Sequence, residues 1–140
     1  MKTKYKYNPT IPYGLHDMYV NNINITDSNI KLEFENGYVS LIEPYDIISG
    51  SIIIENVDFD FSSVVIQNSL GEYGMFEGEK LEIAEFLKKY DDFSFEIVDE
   101  LYGYNKLFYS GYLRRKHKDE IYAMDLYVYF TGDIIYETEE

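Results

Sequence analysis

The segment Gly50–Asn68, GSIIIENVDFDFSSVVIQN, has the densest run of β-branched and aromatic residues in the chain, and turn-forming residues bound it on both sides. Its three consecutive isoleucines, Ile52–Ile54, predict a strand that is buried on both faces. From Val57 onward apolar and acidic residues alternate, which predicts a strand with one buried face and one solvated face. We therefore expect this segment to form strands around which the rest of the chain is arranged.

Two acids in this segment, Asp58 and Asp60, form the first candidate site. At positions i and i+2 of a strand they would present two carboxylates on one face, about 7 Å apart. Paired carboxylates are used by glycosidases and by sites for hard metal ions, which suggests a small-ligand or carbohydrate-binding or hydrolysing β-domain. A solvated sheet face, or part of a surface that binds a partner, would give the same alternation.

Length and composition limit the classes of function. The chain has 140 residues, the size of one domain, which is enough to form a core without disulfides or structural metals. It contains no cysteine, which excludes thiol catalysis, cysteine-ligated zinc and iron–sulfur clusters. We expect no cofactor. Because we find neither a signal-peptide pattern nor an apolar run of membrane-spanning length, we expect a cytoplasmic protein that does not enter membranes.

The surface charge is strongly unbalanced. There are 26 acidic and 12 basic side chains, a net charge of −14. Such a protein repels nucleic-acid phosphates and anionic membranes, and it attracts a basic protein partner at a rate that falls as salt rises. Solubility alone is the other explanation for this acidity. The 16 tyrosines are typical of binding surfaces and also of ordinary cross-strand packing.

Several other segments have strand or loop patterns. The segment Asn29–Glu35 alternates between apolar and charged residues, and Asn36–Gly37 predicts a tight hairpin that returns through 38–42. Residues 4–7 alternate lysine with tyrosine and suit a short edge strand, whereas 71–78 is glycine-rich and suits a loop or short strand. We expect an irregular arm over 1–14, one β-rich domain over 15–136 and an acidic tail over 137–140.

One segment has the spacing of an amphipathic helix, which we place at about 79–90. Its apolar residues follow the i, i+3, i+4, i+7 pattern of a single helical face: Ile83, Phe86, Leu87 and Tyr90. The remaining patterns give eight or nine short strands without strand–helix–strand alternation. The sequence therefore predicts a mainly β protein of the α+β class. Its antiparallel strands would form a curved sheet, a sandwich or an open barrel, with the helix packed on it.

The chain has only two histidines, His16 and His117. His16 precedes Asp17, and such a pair occurs in metal phosphohydrolases, but those sites need further histidines that this chain does not have. His117 lies among basic residues that repel cations. We therefore expect no metal site, and we assign His16 and Asp17 to a strand entrance or to a partner contact. Because no Gly-x-Ser-x-Gly elbow is present, we also expect no enzymatic activity.

A basic run holds four of the twelve lysines and arginines within five positions: Arg114, Arg115, Lys116, His117 and Lys118. A run of this kind can bind phosphate groups. On a chain with a net charge of −14, a solvated hairpin loop that pairs with acids of a partner or of its own sheet explains it equally well. We treat it as a basic loop.

The long strand predicted over 120–130 places Asp125, Tyr127 and Tyr129 on the face opposite its apolar residues. Tyrosines beside acids suit a surface that binds a basic protein, unless the helix covers that face. In the preceding strand, Gly111 predicts a β-bulge or a close approach of another backbone.

The opening Leu15-His16-Asp17, followed by Val20 and an alternating strand, resembles a group of small bacterial proteins, some of them similar to immunity proteins encoded beside secreted toxins. The resemblance covers about the first 45 residues and implies no catalytic residues. Our first hypothesis is a non-catalytic, acidic protein-binding module, of which an immunity-type antagonist of a basic partner is one form. The alternatives are the carbohydrate or small-ligand domain and a structural subunit of a homo-oligomer.

Overall fold

The computed structural model describes residues 1–4, 11–70 and 76–139. Within these ranges the chain forms twelve strands, one α-helix and one short 3₁₀ helix. In chain order they are β1 (Tyr13–Gly14), β2 (Met18–Thr26), β3 (Asn29–Phe34), β4 (Tyr38–Ser40), β5 (Ile47–Ile48), β6 (Gly50–Ile54), the 3₁₀ helix Phe59–Phe61, β7 (Ser63–Leu70), β8 (Phe76–Leu81), α1 (Ile83–Lys89), β9 (Phe93–Gly103), β10 (Lys106–Arg115), β11 (Lys118–Tyr129) and β12 (Ile134–Thr138).

The strands form two antiparallel sheets. The larger has nine strands in the order β12-β6-β3-β2-β9-β10-β11-β7-β8, and the smaller has three in the order β1-β4-β5. The large sheet does not close into a barrel, because β12 and β8 lie at its two ends. The expectation of a mainly β protein with antiparallel sheets and one helix is confirmed, and of the predicted forms it is an open, curved sheet.

The large sheet is curved, and the side chains on its concave face pack against one another and are buried. Val57, just after β6, forms an isolated bridge with Phe130, just after β11, so the two ends of the sheet approach each other. Inward side chains from both ends, such as Ile54 and Leu126, belong to one continuous apolar core and are almost fully buried. The convex face is left to solvent.

The central segment departs from its predicted form. Ile52 and Ile54 are buried but Ile53 is only half-buried, so β6 is covered mainly on one face. The alternation after Val57 is not a strand. Asp58 caps a 3₁₀ helix through a 3.1 Å hydrogen bond from the Asp60 backbone N–H to its carboxylate, and this local bond competes with strand pairing.

The helix is shorter than predicted. It covers Ile83–Lys89 rather than 79–90, because residues 79–81 belong to β8 and pair with β7. The apolar spacing is correct for Ile83 and Phe86, which are buried in the core, and Phe86 packs edge-on against Phe93 at 5.1 Å. The helix therefore covers the concave face. Within the described ranges, no helix has the length and apolar character needed to cross a membrane.

The predicted hairpin at Asn36–Gly37 is wrong. β3 and β4 lie in different sheets, so these residues make a corner between the sheets. Gly37 has a φ of +80°, and a Cβ there would lie 1.9 Å from the carbonyl oxygen of Ile48. The glycine is thus required by the close approach of a second backbone, which the turn signal alone does not distinguish from a hairpin.

The two chain ends differ from the predicted arm and tail. Tyr13–Gly14 forms β1 within the segment expected to be irregular, and Glu137 and Thr138 belong to β12. Residues 5–7 of the suggested edge strand over 4–7 and residues 71–75 of the glycine-rich segment 71–78 lie outside the described residues, whereas Phe76–Leu81 is a strand.

We predict that Tyr38→Phe lowers the free energy of unfolding by about 1 kcal/mol, the usual net value of one hydrogen bond. The Tyr38 side chain is fully buried, and its hydroxyl donates to the backbone carbonyls of Glu137 at 2.7 Å and Ser51 at 3.1 Å, joining β4 to β12 and β6. Urea unfolding of the two proteins measures the difference. An unchanged free energy of unfolding would show that this hydroxyl does not help to hold the small sheet.

Alkaline pH provides a second test of the same contacts. Burial raises the pKa of Tyr38 to about 12, whereas an unfolded tyrosine ionises near 10. A raised folded-state pKa means that stability is complete below pH 10 and decreases as pH rises from 10 towards 12. We expect Tyr38→Phe to reduce this decrease, as measured by urea unfolding at a series of alkaline pH values. An identical pH dependence in the two proteins would contradict the assignment.

Candidate functional site

His16 and Asp17 lie together at the entrance to β2, where they hold the chain against β9. The His16 Nδ1–H donates to the Val98 carbonyl at 2.7 Å, and the Asp17 backbone N–H donates to the Ile97 carbonyl at 2.7 Å. His16 Nε2 lies 3.3 Å from the Asp17 carboxylate. These contacts give the Leu-His-Asp opening a structural role, although both side chains remain mostly exposed.

The surroundings of His16 favour its charged form. Its hydrogen bond to the Val98 carbonyl, followed by the Asp17 carboxylate, raises the pKa of His16 above 6.5. Protonated His16 therefore adds stability at low pH, and this contribution is lost as pH rises through the folded-state pKa. In the described parts of the chain, no group of three or more histidine, aspartate or glutamate side chains is placed to hold a metal ion.

Asp58 and Asp60 do not form an enclosed pair of carboxylates. Asp60 is exposed, and the Asp58 carboxylate accepts the hydrogen bond that caps the 3₁₀ helix. The Asp58 backbone carbonyl also accepts a 2.7 Å hydrogen bond from the Ser62 hydroxyl, which is buried. The two aspartates border a wide, shallow depression with Ser28 and Thr131. Their observed role is to shape the chain between β6 and β7.

The basic run is only partly a loop. Arg114 and Arg115 belong to β10, and both are paired: Arg114 with Glu96 at 3.2 Å and Arg115 with Asp92 at 3.0 Å. The hydrogen bond from Arg115 lowers the pKa of Asp92. Lys116 and His117 form the turn and Lys118 begins β11, and all three are exposed. The prediction of one basic loop over five residues is therefore wrong for its first two and its last, because the long β10–β11 pairing extends through them.

Arg115 also stabilises the C-terminal end of α1. The Arg115 guanidinium lies 5.0 Å from the centre of the Tyr90 ring, in a cation–π contact. Burial raises the pKa of Tyr90 to about 12, and the Tyr90 hydroxyl donates to the Glu79 carboxylate. This carboxylate also pairs with Lys89 at 2.7 Å. The charged groups of Arg115, Lys89 and Glu79 are thus paired with groups of the same molecule.

Tyr127 and Tyr129 lie on the convex face of β11, as predicted, and the helix packs on the opposite face. Together with Phe61 they form a groove of about 410 Å³, which we call the aromatic groove. Lys106 on β10 and Lys80 on β8 line this groove from either side of the β11–β7 pair. An aromatic groove between two lysines is less suited to a basic partner than the sequence suggested.

Asp125, the third predicted residue of this surface, contributes little free charge to it. The Ser110 hydroxyl donates to the Asp125 carboxylate at 2.8 Å across the β10–β11 pair, and Asp125 is half-buried. The neighbouring ring of Phe108 packs on Tyr127 with 4.7 Å between centres. The convex face here is therefore mainly aromatic and aliphatic, with cationic side chains at its margins.

A second groove, which the sequence did not reveal, carries a high density of acids. We call it the acidic groove, and its volume is about 390 Å³. Its charged residues are Glu33, Glu35, Glu137, Glu139 and one lysine, Lys31.

The strand pairing explains the shape of the acidic groove. Ser51 on β6 pairs with Glu33 on β3 to one side and with Glu137 on β12 to the other. Adjacent strands are about 4.8 Å apart, so the two glutamate backbones are separated by roughly 10 Å. The small residues Gly50 and Ser51 form the floor of the groove between the two glutamates. The width suits a guanidinium or ammonium group.

The glutamates of the acidic groove are only partly neutralised. The amide nitrogens of Asn22 and Asn24 donate to the Glu33 carboxylate at 3.0 and 3.2 Å, which fixes its position without cancelling its charge. Lys31 lies 3.6 Å from the Glu137 carboxylate, and both side chains are about half exposed. The sequence contained a sign of the acidic groove in the outward-facing acids of β3 and in the acidic tail. The β3–β6–β12 pairing that joins them cannot be derived from spacing alone.

The tyrosines that form or pack against the core are structural. The Tyr102 hydroxyl donates to Glu100 at 2.8 Å and lies 3.3 Å from the Tyr109 hydroxyl, while Glu100 also accepts the Leu15 backbone N–H at 2.7 Å. Burial raises the pKa of Tyr102, Tyr109 and Tyr136, so all three hydroxyls stay protonated at neutral pH. They act as hydrogen-bonding groups inside the concave face.

Comparison with known proteins gives no relative for this chain. No protein-family model, no curated protein and no solved structure matches it. The function of the chain must therefore be inferred from the two grooves and the charge of the molecule.

We predict that His16 titrates above pH 6.5, and that Asp17→Asn lowers its pKa while leaving it above 6.5. The hydrogen bond to Val98 is the larger of the two causes, and it survives the substitution. Asparagine suits the left-handed conformation at this position, where φ is +64°. NMR titration of the imidazole carbon-bound protons measures both values. A His16 pKa at or below 6.5 in the wild type would contradict the bond to Val98.

Proposed function

We propose that this protein is a non-catalytic, acidic protein-binding module that covers a basic surface of a partner protein, and that it does so with the acidic groove. The supporting observation is the convergence of four glutamates from β3, β12 and their adjoining residues around a floor of small residues. The net charge of −14 supports the same class of partner.

Electrostatics gives this groove two roles in binding. A surface with a large net negative charge draws a basic partner in over a distance of about one Debye length, roughly 8 Å at physiological salt. At contact, the Glu33 and Glu137 carboxylates can receive an arginine or lysine side chain between them. Charge-assisted hydrogen bonds of this kind mainly determine which partner binds and how fast.

The narrower form of the proposal is an immunity-type antagonist that blocks a basic toxin in the cytoplasm. Its basis is the resemblance carried by Leu15-His16-Asp17, together with the charge. In such a complex the antagonist performs no chemistry and acts by covering its target. A standard interface buries roughly 1,200–2,000 Å², so we expect contacts beyond the acidic groove itself.

The carbohydrate hypothesis receives no comparable support. It required Asp58 and Asp60 to face each other across an enclosed site, whereas Asp58 serves as a helix cap and Asp60 is exposed. The separation of roles between these two aspartates removes the reason for assigning them to catalysis.

The test compares two variants that carry the same net charge. The groove variant is Glu33→Gln, Glu35→Gln, Glu137→Gln and Glu139→Gln. The matched control removes four exposed acids elsewhere: Glu82→Gln, Glu85→Gln, Asp91→Asn and Asp119→Asn. The probe is a fluorescent peptide rich in lysine and arginine, and fluorescence anisotropy gives its Kd for each protein over a series of salt concentrations.

We expect the groove variant to bind the peptide at least tenfold more weakly than the matched control, which corresponds to about 1.4 kcal/mol. Equal weakening of both variants would show that only the overall charge matters, and would contradict a specific groove. The same three proteins, immobilised and incubated with lysate of the native cell, extend the test to natural partners. A partner retained by the wild type and the control but lost with the groove variant supports the proposal.

A further inference from the structure

The β4–β5 hairpin carries a cluster of exposed apolar side chains at its tip. Its tip exposes four apolar side chains by 47 to 73%: Leu41, Ile42, Tyr45 and Ile47. Between them lie two exposed acids, Glu43 and Asp46. Large apolar side chains clustered on a tip are costly to leave in water and are typical of a binding surface.

The tip is held in shape by its own backbone. The Ser40 N–H donates to the Asp46 carbonyl at 2.9 Å, and the Tyr45 N–H donates to the Ile42 carbonyl at 2.9 Å. Val39 also pairs with Ile47 in the β4–β5 ladder. A preformed tip loses little conformational entropy when it binds, so its apolar side chains retain most of their contribution to binding.

The aromatic groove is complementary to this tip in both polarity and charge. The groove exposes aromatic rings, with Phe61 at 74% and Tyr127 at 44%. Its two cations, Lys80 and Lys106, are both exposed, and neither makes an ion pair with another described residue. The tip therefore offers apolar groups with two acids, and the groove offers apolar groups with two bases.

The tip and the groove lie on different sheets. The tip belongs to the three-stranded sheet, and the groove lies on β10, β11, β7 and the preceding 3₁₀ helix. Two copies with a net charge of −14 repel each other over most of their surfaces, so a self-contact is favoured where one partner presents lysines.

We propose that the tip of the β4–β5 hairpin of one copy inserts into the aromatic groove of a second copy. Glu43 and Asp46 then lie beside Lys80 and Lys106, while Ile42 and Tyr45 cover Phe61 and Tyr127. The contact joins two different surfaces, so it is heterologous and builds either a ring or an open chain. None of the residues named in this contact lines the acidic groove.

The contact is small, and its strength follows from its size. One hairpin tip in one groove buries less than the roughly 1,200 Å² at the lower limit of standard interfaces. We therefore expect association that depends on concentration, with monomers at low micromolar and larger species towards millimolar. Sedimentation velocity over that range measures it.

Charge reversal provides the test. The groove-reversed variant is Lys80→Glu with Lys106→Glu, and the tip-reversed variant is Glu43→Lys with Asp46→Lys. All four side chains are exposed, so we expect both variants to fold, which circular dichroism and thermal unfolding check. Each variant alone places like charges against each other, and we expect it to remain monomeric.

Recombination of the two reversals distinguishes this contact from a general effect of charge. An equimolar mixture of the two variants restores opposite charges at every contact, and we expect it to associate. The variant carrying all four substitutions has the net charge of the wild type and is also expected to associate. A wild type that stays monomeric up to millimolar concentration, or reversed variants that associate as the wild type does, would overturn the proposal.

Discussion

The curvature of the nine-stranded sheet is the constraint on which the rest of the molecule depends. A flat sheet of this size would need a second layer over its whole apolar face, but in its described parts the chain supplies only the three-stranded sheet and one helix of seven residues. Bending brings Val57 to Phe130 and lets inward side chains from distant strands form one core. Burial of that shared apolar area, at about 25 cal/mol per Å², is the main term holding the fold together.

The surface features follow from this division of the sheet into two faces. The concave face takes up the buried tyrosines and the helix, so they are not available for binding. The convex face carries the side chains that the core does not use, and their strand order decides how they group. Glutamates lie around Ser51 where β12, β6 and β3 are adjacent. Aromatic rings lie between Lys106 and Lys80 where β10, β11, β7 and β8 are adjacent. One face thus presents two grooves of opposite character.

The sequence predicted the fold class and much of the periodicity, but not the pairing of distant strands. Alternation in β3 and β11 was correct, and Gly111 lies at the bulge it predicted, where a Cβ would meet the Glu96 carbonyl oxygen at 1.8 Å. The alternation after Val57 predicted a strand, but the local hydrogen bond to the Asp58 carboxylate caps a 3₁₀ helix there instead. Residues 79–81 were predicted to be helical, but they pair with β7 as part of β8. The acidic groove was missed because Glu33 and Glu137 are separated by more than a hundred residues.

The proposed function requires a basic partner to bind between β3 and β12. The most direct measurement is a titration of the isotopically labelled protein with the lysine- and arginine-rich peptide, followed through its backbone amide NMR signals. We predict that the largest shifts occur at Glu33, Ser51 and Glu137 and their neighbours, with small changes along β11. Shifts spread evenly over all acidic segments, or concentrated around Asp58 and Asp60, would contradict it.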